Sequence, residues 1–326
     1  MTKTRQEIKA YAKYAFASQR KHAILGTFFT FLPLVGLIIL VLILYVPTYF
    51  AFFQGAARLH TLGIIYLVSF MAWLLLYGVA YFLFPILNTN LSGLFVKVFY
   101  GQKISFSEPY TDLGVNYGRK LGGYWWSYLW LSLWSLVAAP VAYAVVLAVF
   151  FVGVTQFFFF NDTVFVSTMT ISSLVAMGIV FIPILVKWTA YCMQPYILAT
   201  HPNVTATNAL DLSKRMTKGY RGKIFVMWLS FLGWHILNVF TLGILGIFYV
   251  FPYMRTVSAG YFVELRNTAV ANGTIDPAEF DGFVPLNTYY PQYHNSQSYY
   301  PPQYHEQITP HQPATHDHSQ DQYPQQ

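Results

Sequence analysis

The chain has 326 residues, of which 56% are hydrophobic and only 10% are charged. Soluble domains carry about 25% charged residues, so this composition excludes a soluble protein and predicts an all-α, polytopic membrane helical bundle. Residues 267–326 contain six acidic residues and no Lys or Arg. Residues 1–266 hold all 19 basic residues and the other six of the 12 acidic ones, a balance of +13. In a membrane protein such an excess marks cytoplasmic loops, and the chain shows no aromatic-basic motif for nucleic acid.

Residues 1–22 are predicted to form a basic, amphipathic cytoplasmic helix, with a capping box at Thr4-Arg5-Gln6-Glu7. The apolar run that follows is too long for a signal peptide and long enough to cross a membrane, which takes about 20 residues. The apolar segments predict the first four transmembrane helices at residues 23–45, 62–87, 124–152 and 171–191.

The last apolar segment, residues 224–263, is 40 residues long. As one helix it would extend about 60 Å at 1.5 Å per residue, roughly twice the hydrocarbon thickness of a bilayer. We therefore expect it to fold back at Thr241-Leu242-Gly243. This gives a fifth span at 224–241 and a sixth at 244–263.

The basic residues support six spans with both termini in the cytoplasm. Six Lys and Arg lie in residues 1–22, four in 88–120 and five in 200–223, whereas the predicted external loops hold only Arg58. This is the asymmetry of a plasma-membrane protein with its positive loops inside. A five-span alternative would place residues 267–326 outside the cell.

The most polar long segment inside the membrane domain is residues 195–223. Thr205 or Asn203 is suited to cap a helix there, and Gly219 is suited to end it. Helical periodicity places an apolar arc opposite a basic one, which predicts a helix on the membrane surface, although a solvated connector fits the same pattern. The cations predicted to face anionic lipid head groups are Lys214, Arg215, Lys218 and Arg221.

Polar residues within the predicted spans are few. His235 and Asn238 lie one helical turn apart in the fifth span, and Arg255 follows Pro252-Tyr253 in the sixth. Together they are the candidates for an intramembrane polar site. The alternatives are interhelical hydrogen bonds for His235 and Asn238, and an Arg255 side chain that reaches the inner membrane surface.

The sequence gives no sign of catalysis. It lacks a Gly-rich phosphate loop and the H-E-x-x-H and G-x-S-x-G motifs, and no acidic residue lies well inside a span. The single Cys192 excludes an internal disulfide and a Cys-based metal cluster. We therefore predict no catalytic residue, cofactor or metal. Residues 267–326 are rich in Tyr, Pro, Gln and His, and this composition predicts a disordered tail.

The second half of the chain closely resembles one protein family. The resemblance lies in PYILA at 195–199, ALDLSKRMTKG at 209–219, LSFLGW at 229–234, TLG at 241–243 and PY at 252–253. These segments resemble the bacterial integral membrane family called domain of unknown function 975, and the likeness extends over about residues 1–270. It implies a multi-spanning plasma-membrane protein and assigns no activity, so no functional residue is transferred.

Three functions fit the sequence. The first is a non-enzymatic scaffold or envelope-homeostasis factor that binds the lipid bilayer, anionic head groups or partner membrane proteins through its basic cytoplasmic helices. The second is a permease or exporter of a small or lipidic solute. The third is a membrane enzyme that acts on lipid head groups. The sequence favours the first, because it shows basic helices and no buried acids.

Overall fold

The protein is described here by a computed structural model that covers residues 3–53, 59–111, 113–159 and 162–282. These residues form helices, turns and short connections, and no strand occurs among them. A π turn at Gly246–Val250 precedes the last α-helix, and a 3-10 turn at Pro277–Phe280 follows it. The α-helices are α1 (Arg5–Ser18), α2 (Arg20–Phe53), α3 (Leu59–Phe99), α4 (Glu108–Thr111), α5 (Tyr117–Phe159), α6 (Asp162–Tyr191), α7 (Gln194–Thr200), α8 (Ala206–Thr217), α9 (Arg221–Leu229), α10 (Leu232–Phe240) and α11 (Phe251–Ala271).

Four helical stretches among the described residues are long and apolar enough to cross a membrane. They are Leu67–Phe99, Tyr117–Phe151, Ser173–Thr200 and Arg221–Phe240, and they coincide with the second to fifth predicted spans. Large apolar side chains such as Leu136, Phe151 and Ile182 are exposed along them. Exposed apolar surface of this kind is what contact with lipid tails requires.

Most buried side chains lie in one region, which we call the helical core. It consists of α1, residues 86–99 of α3, α7, α8 and α11. Its largest fully buried side chains include Tyr261, Phe95, Phe99, Phe262, Ile8 and Leu91. α11 packs against α1, α3 and α8. The core therefore joins the beginning of the chain to its last α-helix.

α11 differs from the sixth span that the sequence predicts at 244–263. Every residue from 256 to 266 is buried, including the charged Glu264 and Arg266, and α11 is not among the four stretches suited to cross a membrane. A segment that is largely apolar on every side must be shielded from water on every side, and either lipid or neighbouring helices can shield it. The surroundings of this part of α11 are protein.

α8 begins and ends near the residues that the sequence indicates. The Thr205 side chain accepts the Asn208 N–H at 3.3 Å, and Gly219 has a φ of +85°. Its apolar arc is buried, however, and α8 packs on α5, α6, α7 and α11. The face that was expected to contact lipid therefore contacts the rest of the protein.

Two further predictions concern chain boundaries. A turn with positive φ at Leu242 and Gly243 follows α10, where the sequence predicts a turn. The sequence also predicts disorder from residue 267, whereas α11 continues to Ala271 and the 3-10 turn follows. Phe280 in that turn is fully buried, with its ring 5.0 Å from the His201 ring. Residues 283–326, the rest of the predicted tail, lie outside the described residues.

Candidate functional site

A cleft of about 600 Å³ opens beside the helical core. Its walls come from α3, α5, α6, α7, α9 and α11 and from the segment that joins α6 to α7. Aromatic and aliphatic side chains line most of it, among them Leu131, Ile184, Trp188 and Trp228. Pockets of this size that are largely apolar, with a few polar groups, are typical of sites for small molecules.

The polar groups gather at the α3–α11 side of the cleft. An Arg255 guanidinium N–H donates to Asn88 Oδ1 at 2.6 Å. Tyr196 and Ser258 lie on the same side, and the Tyr124 hydroxyl donates to the Tyr128 hydroxyl at 3.1 Å. All six of these residues line the cleft. Asn88 is a neutral partner, so it holds Arg255 in place without cancelling its charge.

Arg255 has no acidic partner among the described residues, because none of their ion pairs involves it. A guanidinium carries its charge at every accessible pH and binds carboxylates and phosphates through two parallel hydrogen bonds. A positive charge next to apolar walls favours an anionic ligand that also has an apolar part.

The position of Arg255 depends on the turn that precedes α11. Asn238 Oδ1 accepts the Gly246 N–H at 2.5 Å where the π turn begins. A Cβ at Gly246 would lie 2.5 Å from that same oxygen, so the close approach requires glycine. Asn238 thus orients the beginning of α11, and Pro252 in the first turn is compatible with a helix start.

The three residues of the predicted intramembrane polar site have separate surroundings. Arg255 lines the cleft, Asn238 holds the π turn, and the His235 ring lies 6.2 Å from the Phe251 ring. Sequence patterns did not point to Asn88, Tyr124, Tyr196 or Ser258. Of these four, only Asn88 could have been suspected from the sequence, because it is a polar residue directly after the predicted second span.

The four cations expected to face lipid also differ from one another. Arg215 is paired with Asp211 at 2.9 Å and with Glu279. Lys214 Nζ lies 5.5 Å from the centre of the Trp130 ring. Lys218 is exposed, and Arg221 is partly buried. Arg215 thus tethers the 3-10 turn to α8, while Lys218 points to the surroundings of the protein.

A buried polar cluster supports the helical core close to the cleft. Arg119 donates to the carbonyl oxygens of Leu198, His201 and Val204 at 2.7, 2.9 and 2.9 Å, which satisfies the end of α7. An Arg266 N–H faces His201 Nε2 at 3.3 Å. Since arginine only donates, Nε2 must be an unprotonated acceptor and His201 is neutral. Burial first, and then the charges of Arg266 and Arg119, lower the His201 pKa to about 3.

No set of three or more His, Cys, Asp or Glu side chains within the described ranges is placed to bind a metal ion. Cys192 lines the cleft, and its thiol donates to the Thr189 carbonyl oxygen at 3.2 Å. The cleft thus combines a fixed cation, several hydroxyl groups and aromatic walls.

Comparison with known proteins decides the family. The family model described as "Protein of unknown function (DUF975)" matches residues 1–269, which is most of the chain. The chain belongs to the DUF975 family. No curated protein and no solved structure matches it. This DUF975 protein is thus an all-helical member of an uncharacterised family, with four apolar helices that suit a membrane.

Proposed function

We propose that this DUF975 protein is a non-enzymatic protein of the bacterial plasma membrane that binds one anionic amphiphile, such as a phospholipid, in the cleft. The observation that carries the proposal is Arg255, a cation without an acidic partner at one side of a largely apolar cleft. An amphiphile matches both parts of the cleft. Its anionic group pairs with Arg255, and its chain packs against Leu131, Ile184 and Trp228.

The proposed arrangement keeps the six predicted spans, with α2 as the first. The sixth, residues 244–263, begins near the π turn and ends in the part of α11 that other helices of the protein cover. Both termini then lie in the cytoplasm, which agrees with the distribution of Lys and Arg. In this orientation the Arg255 side of the cleft is near the cytoplasmic surface, where lipid head groups reside. Lys218 and other exposed cations of the same surface would add a weaker attraction to anionic membranes.

This topology predicts which positions react with an impermeant maleimide in intact cells. In a Cys192→Ser background, a cysteine at Asp162 should be labelled and one at Pro310 should not. Labelling of both after the membrane is permeabilised serves as the control. Labelling at Pro310 in intact cells would contradict the six-span arrangement.

Substituting Arg255 should weaken the binding of anionic lipid. A hydrogen bond to a charged group contributes about 1.5–3 kcal/mol, so Arg255→Gln should lower the affinity for short-chain phosphatidylglycerol by about 10- to 100-fold. Native mass spectrometry of the purified full chain measures this affinity. Phosphatidylcholine, which has no net charge, should be affected much less.

Two variants complete this experiment. Arg255→Lys keeps the charge and should retain part of the affinity, while Arg20→Gln removes an exposed cation outside the cleft and should bind like the unaltered protein. An Arg255→Gln protein that elutes as a single species and still binds phosphatidylglycerol with unchanged affinity would disprove the proposal.

A further inference from the structure

We infer that a second pocket, between the beginnings of α1 and α9, binds the phosphate group of an anionic phospholipid at the membrane surface. The pocket has a volume of about 400 Å³ and lies apart from the cleft, with which it shares no lining residue. Residues 3–5 form one side of it and residues 222–226 the other, and Tyr261 of α11 joins them.

Three cations line this pocket. Lys3 and Arg5 come from the first residues of the chain, and Lys223 comes from the first turn of α9. None of the ion pairs within the described residues involves Arg5 or Lys223. The two nearby carboxylates bind backbone amides of the same segment. Glu264 accepts the Lys3 N–H at 2.9 Å, and Glu7 accepts the Thr4 N–H at 2.7 Å.

These two carboxylates help to place the cations. Thr4 and Glu7 form the capping box that begins α1, so its first amides are satisfied internally and the pocket relies on side-chain charge. Glu264 is buried on α11 and fixes the backbone of Lys3 against the helical core. The folded core thereby brings residues from the two ends of the membrane domain to one pocket.

The position of the pocket indicates a lipid as the source of the phosphate. Val226 lines it and is exposed, and Phe225 and Leu229 of α9 are exposed beside it. These residues belong to Arg221–Phe240, one of the stretches suited to cross a membrane. A molecule that occupies this pocket therefore meets cations at one end and an apolar, lipid-facing helix at the other. A phospholipid provides an anionic phosphate and an acyl chain in that order.

The pocket is tested on the purified full chain with short-chain phosphatidylglycerol and native mass spectrometry. The unaltered protein should bind two phosphatidylglycerol molecules, one in the cleft and one in the pocket. Arg5→Gln combined with Lys223→Gln should weaken one of the two binding steps about 30-fold and leave the other unchanged. The matched control, Arg20→Gln with Lys21→Gln, removes the same two charges from exposed positions and should keep both steps.

The outcomes separate the two sites and the two possible sources of phosphate. If Arg255→Gln does not change phosphatidylglycerol binding but the Arg5→Gln, Lys223→Gln variant loses one binding step, the cleft proposal fails and the pocket proposal is supported. Equal losses in the pair and in its control would assign the effect to overall charge and overturn the pocket. Displacement of the lipid by inorganic phosphate alone would assign the site to a soluble phosphate and overturn the lipid assignment. If the Arg5→Gln, Lys223→Gln variant keeps both binding steps and its unfolding temperature unchanged, the pocket proposal is overturned as well.

Discussion

Replacing Gly260 by leucine should prevent the helical core from forming. Gly260 lies in the fully buried part of α11, and a Cβ at this position would be 2.5 Å from Phe99 Cε2 and 2.9 Å from Ile8 Cγ2. Both neighbours are themselves buried in the core and have no open space into which to move. The smaller Gly260→Ala change should cost about 1–3 kcal/mol, as overpacking typically does, and leucine should cost more.

Fluorescence-detected gel filtration and thermal unfolding in detergent measure this effect. The matched control is Gly178→Leu in α6, where nothing lies within 4 Å of an added Cβ. Truncating the obstructing ring should restore part of the loss, so Gly260→Ala with Phe99→Leu should unfold at a higher temperature than Gly260→Ala alone. A Gly260→Leu protein that unfolds at the same temperature as the Gly178→Leu control would refute the close packing of α1, α3 and α11.

Mild acid should destabilise the protein through His201. Its pKa is about 3 in the folded protein and about 6.5 in an unfolded chain. Between these values the unfolded state binds more protons, so the stability is unaffected by His201 above pH 6.5 and falls as the pH falls towards 3. The slope is about 1.4 kcal/mol per pH unit, which gives a loss of about 2 kcal/mol at pH 5.

Burial of His201, and after it the charge of Arg266, are the physical reasons for this sensitivity. A protonated His201 would present an N–H to a guanidinium that only donates, in a site that excludes water. Asp281 lies 3.9 Å from His201 Nδ1 and would favour the charged form, but burial and the charges of Arg266 and Arg119 outweigh it.

The dependence of the unfolding temperature on pH, between pH 7 and 5, measures the contribution of His201. His201→Gln should flatten this dependence, because glutamine does not titrate, even if the variant is less stable at pH 7. His22→Gln replaces an exposed histidine and should leave the slope unchanged. Equal slopes in the unaltered protein and His201→Gln would show that the ring is not the group that takes up the proton.

α8 shows what a sequence pattern determines and what it leaves open. The capping threonine, the terminating glycine and the identity of the buried face all follow from local stereochemistry and periodicity, and they agree with the structure. Periodicity predicts that one face of the helix is shielded from water, but it does not distinguish lipid from other helices as the cover. The expectation of lipid was wrong for this face, because α5, α6, α7 and α11 cover it.

The polar residues of the fifth and sixth predicted spans illustrate the same limit. Arg255, His235 and Asn238 look alike in sequence as polar residues in apolar segments, but their roles depend on partners far along the chain. Arg255 meets Asn88, which is 167 residues away. The cleft itself is built from several helices, and no sequence pattern within any one of them predicts it. The family resemblance identified the protein class but added no functional residue.

The contact between α1 and α11 determines when the helical core can be completed during synthesis of the chain. α1 is made before the other described α-helices and α11 after them, with the four stretches suited to cross a membrane between them. Those stretches therefore leave the ribosome before the contact between α1 and α11 can form. Until α11 is made, the side chains of Ile8, Ala12 and Phe16 lack their final cover. A nascent chain halted before residue 251 thus has its long apolar helices but an incomplete core, with the apolar face of α1 available to chaperones and proteases.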